Sequence, residues 1–400
     1  MDFPYGRLRR WPDVEADNLQ AYDATDVLLV ECALSLGIEG REIAVIGDEY
    51  GAITLALTSA GVDGVRVHQD LTTGRRALVR NAEELGLSGF SSHELDATLL
   101  DGARLVLLQL PKALAELEEI TDAVARWAAR DVVLVAGGRV KHMTIAQNEV
   151  LGRGFAEVQA QRAERKSRLV IASRPREVPV TPPFPVVAQH DWLTLVAHGG
   201  AFAGAKLDIG TRVLLQVLGL DGSQLSTGAP TRAESMPRSA DPADPCCVVN
   251  GGEPSPGPIA VDLGCGTGAL ATSYALAHPE SRVIATDRSA AAVASARATV
   301  AANGVADRVT VMHDDAGSEI ADASADVVLL NPPFHLGSSV HTGAATRLFE
   351  AAARILRPGG ELFTVFNSSL GYRAELTRLV GATEQVERTP KFTVTRSIRR

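Results

Sequence analysis

Between residues 259 and 367 the sequence alternates short apolar runs with longer segments of helical periodicity. The runs are "IAVDLG", "RVIATD", "RVTVMHD", "ADVVLLN" and "GELFTVF", and segments such as "AAAVASARATVAANG" separate them. This rhythm of strand and helix is typical of an α/β fold with a doubly wound parallel sheet. After one more helix, the runs "EQVERTP" and "KFTVTRSIRR" predict a closing pair of antiparallel strands.

The first half of the chain repeats the same rhythm. "REIAVIGDEYGAITLALTSAG" predicts a strand, a glycine turn and a helix, and "GVRVHQD", "ARLVLLQLPKALAELEEI" and "RDVVLVAGG" each predict a further strand. We therefore expect two tandem domains, residues 1–180 and 186–400. The segment 173–186 should separate them, because its prolines disfavour regular strand pairing. Residues 221–258, rich in Gly and Pro, are expected to form a flexible insertion in the second domain.

Composition argues against several classes of protein. No apolar run approaches the roughly 18 residues of a membrane helix, and the N-terminal residues lack the apolar core of an export signal, so we expect a soluble cytoplasmic protein. The four cysteines, Cys32, Cys246, Cys247 and Cys265, have no CxxC spacing, which argues against a zinc site and a disulfide framework. The net charge of −9 is unlike that of a protein that coats nucleic acid, although the locally basic segments 152–177 and 388–400 leave RNA binding open.

A glycine-rich turn follows the first apolar run of the second domain. In "VDLGCGTG" the glycines Gly264, Gly266 and Gly268 stand between a strand and a helix, where backbone N–H groups can approach a ligand. The spacing differs from the dinucleotide fingerprint G-x-G-x-x-G. Enzymes that use S-adenosylmethionine place the amino-acid end of the cofactor at a turn of this kind.

Acidic residues at three strands extend this candidate site. Asp262 lies just before the turn, and Asp287 ends the second strand, near the distance from which an acid reaches a ribose diol. Asp315 follows the third strand, where it could accept from an adenine amine while the Ala316 N–H donates to the ring. Each acid alone is more typical of a solvated strand end. Together they predict a cofactor site, because ligands of parallel sheets bind at the carboxyl edge.

The fourth strand ends in "NPPF", residues 331–334, beside the predicted cofactor. The side-chain oxygen of Asn331 and the carbonyl of Pro332 can accept hydrogen bonds from an exocyclic amine and turn its lone pair toward a methyl donor. Pro332 and Pro333 fix φ and remove competing N–H donors, and Phe334 offers a face on which a flipped base can stack. For His335 an RNA contact and a role in capping the loop both remain open.

These motifs resemble those of the bacterial ribosomal RNA guanine-N2 methyltransferases, a family with a duplicated methyltransferase fold. The stretch "AFAGAKLDIGTRVLL" contributes to the likeness, and "LQAYDATDVLL", "LQLPKALAELE" and the basic C-terminus favour the large-subunit, 23S rRNA enzyme. The resemblance implies S-adenosylmethionine as cofactor, ribosomal RNA as partner and no metal. It implies a catalytic loop of Asn331, Pro332, Pro333 and Phe334 that holds the guanine. It implies a cofactor site of Asp262, Gly264, Gly266, Gly268, Asp287, Asp315, Ala316 and Asn331, with Asp208 and Thr211 along the methionine end.

The same resemblance implies that the first domain is a degenerate copy that shapes or recognises RNA. Its turn, "VIGDEYG", has lost glycines, and in "QLPK" the amine-holding amide is expected to be missing. One departure is "AGAK" after Phe202, where the family usually has a Ser-Arg pair; Lys206 is the candidate substitute. Alternative readings are a small-subunit 16S rRNA methyltransferase, a protein glutamine N5-methyltransferase and a non-catalytic RNA-binding assembly factor. The oligomeric state stays open, and a monomer is compatible with the sequence.

Overall fold

The computed structural model describes residues 3–16, 18–222, 257–333 and 341–400. In the first half the strands are β1 (Ile43–Ile46), β2 (Val65–His68), β3 (Phe90–Ser92), β4 (Leu105–Gln109), β5 (Val133–Arg139), β6 (Phe155–Ala160) and β7 (Ser167–Pro175). The helices are α1 (Ala24–Leu36), α2 (Ala52–Ser59), α3 (Thr72–Leu85), α4 (Ala97–Leu100), α5 (Leu114–Trp127) and α6 (Ile145–Gly154). Short 3₁₀ turns lie at Tyr5–Arg7, Gly40–Glu42 and Val140–His142.

A hairpin of β8 (Val186–Gln189) and β9 (Thr194–Ala197) leads to α7 (Ile209–Leu218) and the second half. Its strands are β10 (Ile259–Leu263), β11 (Arg282–Asp287), β12 (Val309–His313), β13 (Ala325–Leu330), β14 (Leu356–Asn367), β15 (Thr383–Arg388) and β16 (Phe392–Ile398). Its helices are α8 (Ala269–Ala277), α9 (Ala290–Ala302), α10 (His341–Ile355) and α11 (Arg373–Leu379).

The two halves form sheets of the same topology. The first sheet has the order β3-β2-β1-β4-β5-β7-β6 and the second the order β12-β11-β10-β13-β14-β16-β15. The first five strands of each sheet run parallel, and the last two close it in antiparallel pairing. The predicted fold class, two tandem Rossmann-like methyltransferase folds with a closing antiparallel pair, is therefore confirmed.

The central strands are buried because helices cover both faces of each sheet. All four residues of β1 are buried, and alternate residues of this strand belong to two separate apolar clusters. In β10 the residues Val261 and Leu263 likewise face one cluster while Ala260 faces another. Strands covered on both sides read as continuous apolar runs, which is why the sequence located them.

The linker prediction needs one correction. Proline was expected to prevent pairing from residue 173 onward, but β7 continues to Pro175, which pairs with Phe155 of β6. Proline is tolerated there because it stands at the end of the strand. The predicted insertion, 221–258, lies almost wholly outside the described residues.

Polar contacts join the two halves beside the second sheet. The backbone carbonyl of Asp70 accepts from the Ala290 N–H at 2.9 Å, and its carboxylate accepts from the Ala291 N–H at 2.9 Å. Arg76 of α3 pairs with buried Asp314 at 3.2 Å. These contacts hold the first domain against the start of α9 and the loop after β12.

Neither a membrane span nor a metal cluster is found in the ranges that the structure describes. No helix there combines the length and the apolar character needed to cross a bilayer. No three His, Cys, Asp or Glu side chains there are grouped so that they could ligate a metal ion.

Candidate active site

Three strands of the second sheet end at one level and bring the candidate residues together. Leu263 of β10 is paired with Thr286 of β11 on one side and with Leu330 of β13 on the other. The next residues along these strands, Gly264, Asp287 and Asn331, therefore lie side by side at the carboxyl edge. This is the edge at which parallel sheets bind ligands.

The glycine turn leaves open space where the sequence placed the cofactor. Gly264, Gly266 and Gly268 all have positive φ, at 75°, 53° and 76°. A Cβ atom added at Gly264 or Gly266 would meet nothing within 4 Å, whereas one at Gly268 would lie 3.0 Å from Ala296. The first two glycines therefore keep a surface free for a ligand, and the third allows α8 and α9 to pack closely.

Asp287 connects the end of β11 to this turn. One carboxylate oxygen accepts from the Gly266 N–H at 2.9 Å and the other from the Ser289 N–H at 2.9 Å. Burial raises the pKa of Asp287 above its ordinary value, while these two hydrogen bonds oppose the shift. Each carboxylate oxygen has a second lone pair, so Asp287 can still accept from a diol.

Asp262 is buried beneath the turn and anchors the start of α8. Its Oδ2 accepts from the Ala271 N–H at 2.9 Å, and its Oδ1 has no partner among the described residues. Burial raises the pKa of Asp262 to about 7. The hydrogen bond from Ala271 opposes this rise, and the nearby charge of Asp287 adds to it. Asp262 therefore shapes the turn from below.

Replacing Asp262 with asparagine should make the stability of the protein less sensitive to pH. Its pKa is about 7 in the folded chain and about 3.9 in an unfolded one, so its contribution to stability is lost as pH rises between these values. Asparagine still accepts from the Ala271 N–H but does not ionise. The variant's free energy of unfolding relative to wild type should rise by at least about 1 kcal/mol between about pH 5 and about pH 8. Denaturant titrations measure this change. An equal difference in unfolding free energy between variant and wild type at both pH values would contradict the raised pKa of Asp262.

Asp315 and Ala316 lie in the loop after β12. The Asp315 carboxylate is buried and forms an ion pair with Arg347 of α10. Burial raises the pKa of Asp315, and the positive charge of Arg347 opposes this shift. Ala316 has a positive φ of 52°. Local sequence pattern does not predict this ion pair, because Arg347 lies in a helix 32 positions along the chain.

Asn331 follows β13 with its amide held in one orientation. Its Nδ2 donates to the Asp208 Oδ2 at 3.2 Å and to the Thr211 Oγ1 at 3.0 Å. Its Oδ1 is buried and has no hydrogen-bond partner among the described residues. A buried acceptor without a partner is costly, so a ligand that donates a hydrogen bond to this oxygen would offset that cost. Pro332 is buried and Pro333 exposed, while Phe334 and His335 lie outside the described residues.

Two family models match this chain. A model described as "Methyltransferase small domain" matches residues 255–396, and one described as "RLMG N-terminal domain" matches residues 2–176. The ribosomal RNA large subunit methyltransferase G of Streptomyces avermitilis is 32% identical over 415 aligned positions, covering 100% of this chain and 99% of that protein. The chain belongs to the ribosomal RNA large subunit methyltransferase G family. The Pseudomonas aeruginosa (strain UCBPP-PA14) member of this family is 33% identical, covering 97% of this chain and 96% of that protein.

A solved structure shares the fold of both domains. It is the Thermus thermophilus 16S rRNA N2 G1207 methyltransferase (RsmC) in complex with AdoMet and guanosine, with a TM-score of 0.69 and 22% identity. The match covers 94% of this chain and 92% of that one. Together with the family membership, it supports the sequence-based recognition of a duplicated methyltransferase fold.

The first domain of this family member differs from the second at the glycine turn. Gly51 and Gly268 begin the helices α2 and α8 with positive φ. Two residues before these glycines, the first domain has Glu49 and the second has Gly266. Asp48 carries out the structural task of Asp262, because it accepts from the Thr54 N–H of α2 at 2.7 Å. The glycines at the two ends of the turn, Gly47 and Gly51, keep a positive φ, but the middle position does not and carries an acidic side chain on the surface that the second domain leaves open.

The strand ends of the first domain correct one expectation. Ile46 is paired with His68 and Leu108, so Gln69 and Gln109 occupy the positions of Asp287 and Asn331. The amide expected to be missing is therefore present, one methylene longer. Gln109 donates from its Nε2 to the buried Asp26 in the first turn of α1. Sequence comparison overlooked it because "QLPK" lacks the asparagine and the double proline.

Proposed function

We propose that the chain transfers a methyl group from S-adenosylmethionine to the exocyclic N2 of a guanine in ribosomal RNA, in the large subunit (23S), in the cytoplasm. The chain belongs to a family of ribosomal RNA methyltransferases, and its second domain has the methyltransferase fold. The observation that carries the proposal is the Asn331 amide, fixed beside the glycine turn with an unpartnered oxygen.

The residues at the carboxyl edge fit S-adenosylmethionine. The open space over Gly264 and Gly266 admits the amino-acid end, Asp287 offers acceptors to the ribose diol, and Asp315 and Ala316 are assigned to the adenine. Arg347 pairs with Asp315 in this structure, so the adenine amine would share that carboxylate with the guanidinium. When bound, the cofactor supplies an electrophilic methyl group on a positively charged sulfur.

The guanine amine is a poor nucleophile because its nitrogen lone pair is delocalised into the ring. Hydrogen bonds from the amine to the Asn331 Oδ1 and the Pro332 carbonyl would hold its hydrogens so that the lone pair turns out of the ring plane. The prolines at 332 and 333 keep these acceptors rigid. No strong base is needed, since the amine becomes acidic once methylated, and positioning supplies most of the rate. Phe334 is assigned to stack on the flipped base.

Comparison of ribosomal RNA from cells with and without this protein tests the proposal. N2-methylguanosine is mapped by mass spectrometry in the large- and small-subunit RNAs, and the loss of one modified position in 23S RNA is expected. Loss in 16S RNA instead would favour the small-subunit alternative. An unchanged RNA with a lost methyl group on a protein glutamine would favour the protein methyltransferase. No lost methyl group, together with no cofactor binding, would favour an assembly factor.

We further propose that residues 1–180 are a degenerate methyltransferase-like domain with a structural or RNA-recognition role, and that residues 186–400 are catalytic. A cavity of about 970 Å³ lies at the carboxyl edge of the first sheet, with Glu49, Asp70 and Glu116 among the residues that line it. Burial and the charges of Asp70 and Glu119 raise the pKa of Glu116 to about 7. A wall so rich in carboxyl groups disfavours the carboxylate of an amino-acid ligand.

The full-length chain should accordingly bind a single S-adenosylmethionine. Isothermal titration calorimetry is expected to give a stoichiometry of one, and Gln69→Ala, at the first domain's equivalent of Asp287, should leave that affinity unchanged. A second binding event that Gln69→Ala abolishes would show that the first domain also holds the cofactor.

A further inference from the structure

The geometry points to Asp208 and Thr211 as positioning residues that act through the Asn331 amide. The resemblance placed them along the methionine end of the cofactor. In the structure both contact Asn331, 123 and 120 positions away along the chain. We infer that they fix which atom of the amide faces the guanine amine. This inference rests on the proposed function and adds two residues to its machinery.

The two contacts together determine the orientation of the amide. The NH₂ group of asparagine has two hydrogens and the side-chain oxygen has none. The Asp208 carboxylate is an obligate acceptor when ionised, and it takes one hydrogen at 3.2 Å, while the Thr211 hydroxyl takes the other at 3.0 Å. A reversed amide would place its oxygen against the carboxylate and leave the NH₂ without either acceptor. The Oδ1 atom is therefore the end of the amide that is left for another donor.

Asp208 and Thr211 are themselves held in place at the start of α7. Asp208 is the N-cap, and the same Oδ2 atom accepts from the Gly210 N–H at 2.9 Å and the Thr211 N–H at 3.3 Å. The helix is anchored by buried Leu214 and Leu215 in the cluster that also contains Leu329 of β13. Because the capped start of α7 and the strand β13 pack in the same buried cluster, the amide is fixed before any substrate arrives.

The space beside the Asn331 Oδ1 and the charge of Asp208 both favour a hydrogen bond to this oxygen. A Cβ atom at position 210 would come within 3.3 Å of the Asn331 Oδ1, so Gly210 keeps that side of the oxygen uncrowded. The carboxylate of Asp208 also polarises the amide from behind, which makes Oδ1 a stronger acceptor. This matters most as positive charge develops on the attacking nitrogen, since a preorganised dipole stabilises charge that appears in the transition state.

Isosteric changes at Thr211 and Asp208 test the inference in the full-length protein. Thr211→Val removes one acceptor and keeps the shape, and we expect the single-turnover rate of methyl transfer to ribosomal RNA to fall by roughly 10-fold. Thr211→Ser should restore most of the rate. Asp208→Asn keeps an N-cap but removes the charge, and a fall of several-fold is expected. In all three, the calorimetric affinity for S-adenosylmethionine should stay within about twofold of wild type.

A double-mutant cycle separates action through Asn331 from action elsewhere. In an Asn331→Ala background, Thr211→Val and Asp208→Asn should cost little further rate, because the group they position is gone. An equal loss in both backgrounds, or cofactor affinity that falls in step with the rate, would overturn the inference in favour of a cofactor contact.

Two further measurements complete the test. In protein labelled with ¹⁵N-asparagine, the Asn331 side-chain signal, identified by its loss in Asn331→Ala, should shift in Thr211→Val and little in Thr211→Ser; equal signals would also overturn the inference. Asp23→Ala removes the N-cap of α1 in the first domain and controls for general loss of a cap, with an unchanged rate expected. Wild-type protein that binds cofactor but methylates no RNA would defeat the proposed function instead.

Discussion

Replacing Asn331 with alanine is expected to lower kcat for methyl transfer by roughly 10² or more, the scale on which one preorganised polar contact acts. The variant loses the Oδ1 acceptor that we propose orients the amine but keeps the glycine turn, Asp287 and Asp262. Affinity for S-adenosylmethionine should therefore change little. The measurement is transfer of labelled methyl groups to ribosomal RNA, performed beside equilibrium cofactor binding.

Gln109→Ala is the matched control for this prediction. It removes the amide at the equivalent strand end of the first sheet, so methyl transfer should stay near the wild-type rate once folding is verified by Tm. If Asn331→Ala transfers methyl groups at the wild-type rate, the loop after β13 is only a structural turn. If Gln109→Ala alone abolishes transfer, the assignment of the catalytic domain is reversed.

Replacing Asp287 with alanine should weaken S-adenosylmethionine binding by about 1–3 kcal/mol, as expected for the loss of hydrogen bonds to a charged group. This corresponds to roughly 5- to 150-fold in Kd. The variant loses the acceptors that we propose for the ribose diol and also the two backbone contacts that brace the turn at Gly266 and Ser289.

Asp287→Asn separates these two causes. It keeps one acceptor oxygen and removes the charge, so its affinity should lie between those of wild type and Asp287→Ala. Calorimetry measures both variants, and an alanine variant with wild-type affinity would remove Asp287 from the cofactor site.

The sequence predicted those parts of the fold that depend on local pattern. β10 and β13 were predictable because strands covered by helices on both faces are continuous apolar runs. The start of β14 was not, since the strand begins at Leu356 and runs through "RPGG" before the predicted "GELFTVF". Its pairing with β13 shifts register between Ala325 and Val327. Such an irregularity admits residues that a regular strand excludes, and local composition does not reveal it.

The same distinction applies to the site. Asp287 and Asn331 were predictable because each is a polar residue directly after an apolar run. The resemblance placed Asp208 at the site, but the hydrogen bond that it accepts from Asn331 was not predicted. Arg347, which pairs with Asp315, was not predicted at all, because it lies in a distant helix whose placement depends on tertiary packing. The amide of Gln109 was overlooked for a related reason. "QLPK" was recognised as the counterpart of "NPPF", but only the strand register shows that the Gln109 amide lies at the same strand end as Asn331.

The contacts of Asp70 with Ala290 and Ala291 have a consequence for the evolution of the chain. The non-catalytic role proposed for the first domain does not leave that half of the gene free to drift, because it supports the backbone three and four positions after Asp287. Natural selection on catalysis therefore also acts on the half that carries the acidic turn. Chimeras that exchange the first domain between distant relatives should pack poorly where Asp70 contacts Ala290 and Ala291, unless the residues on both sides of this contact are exchanged together.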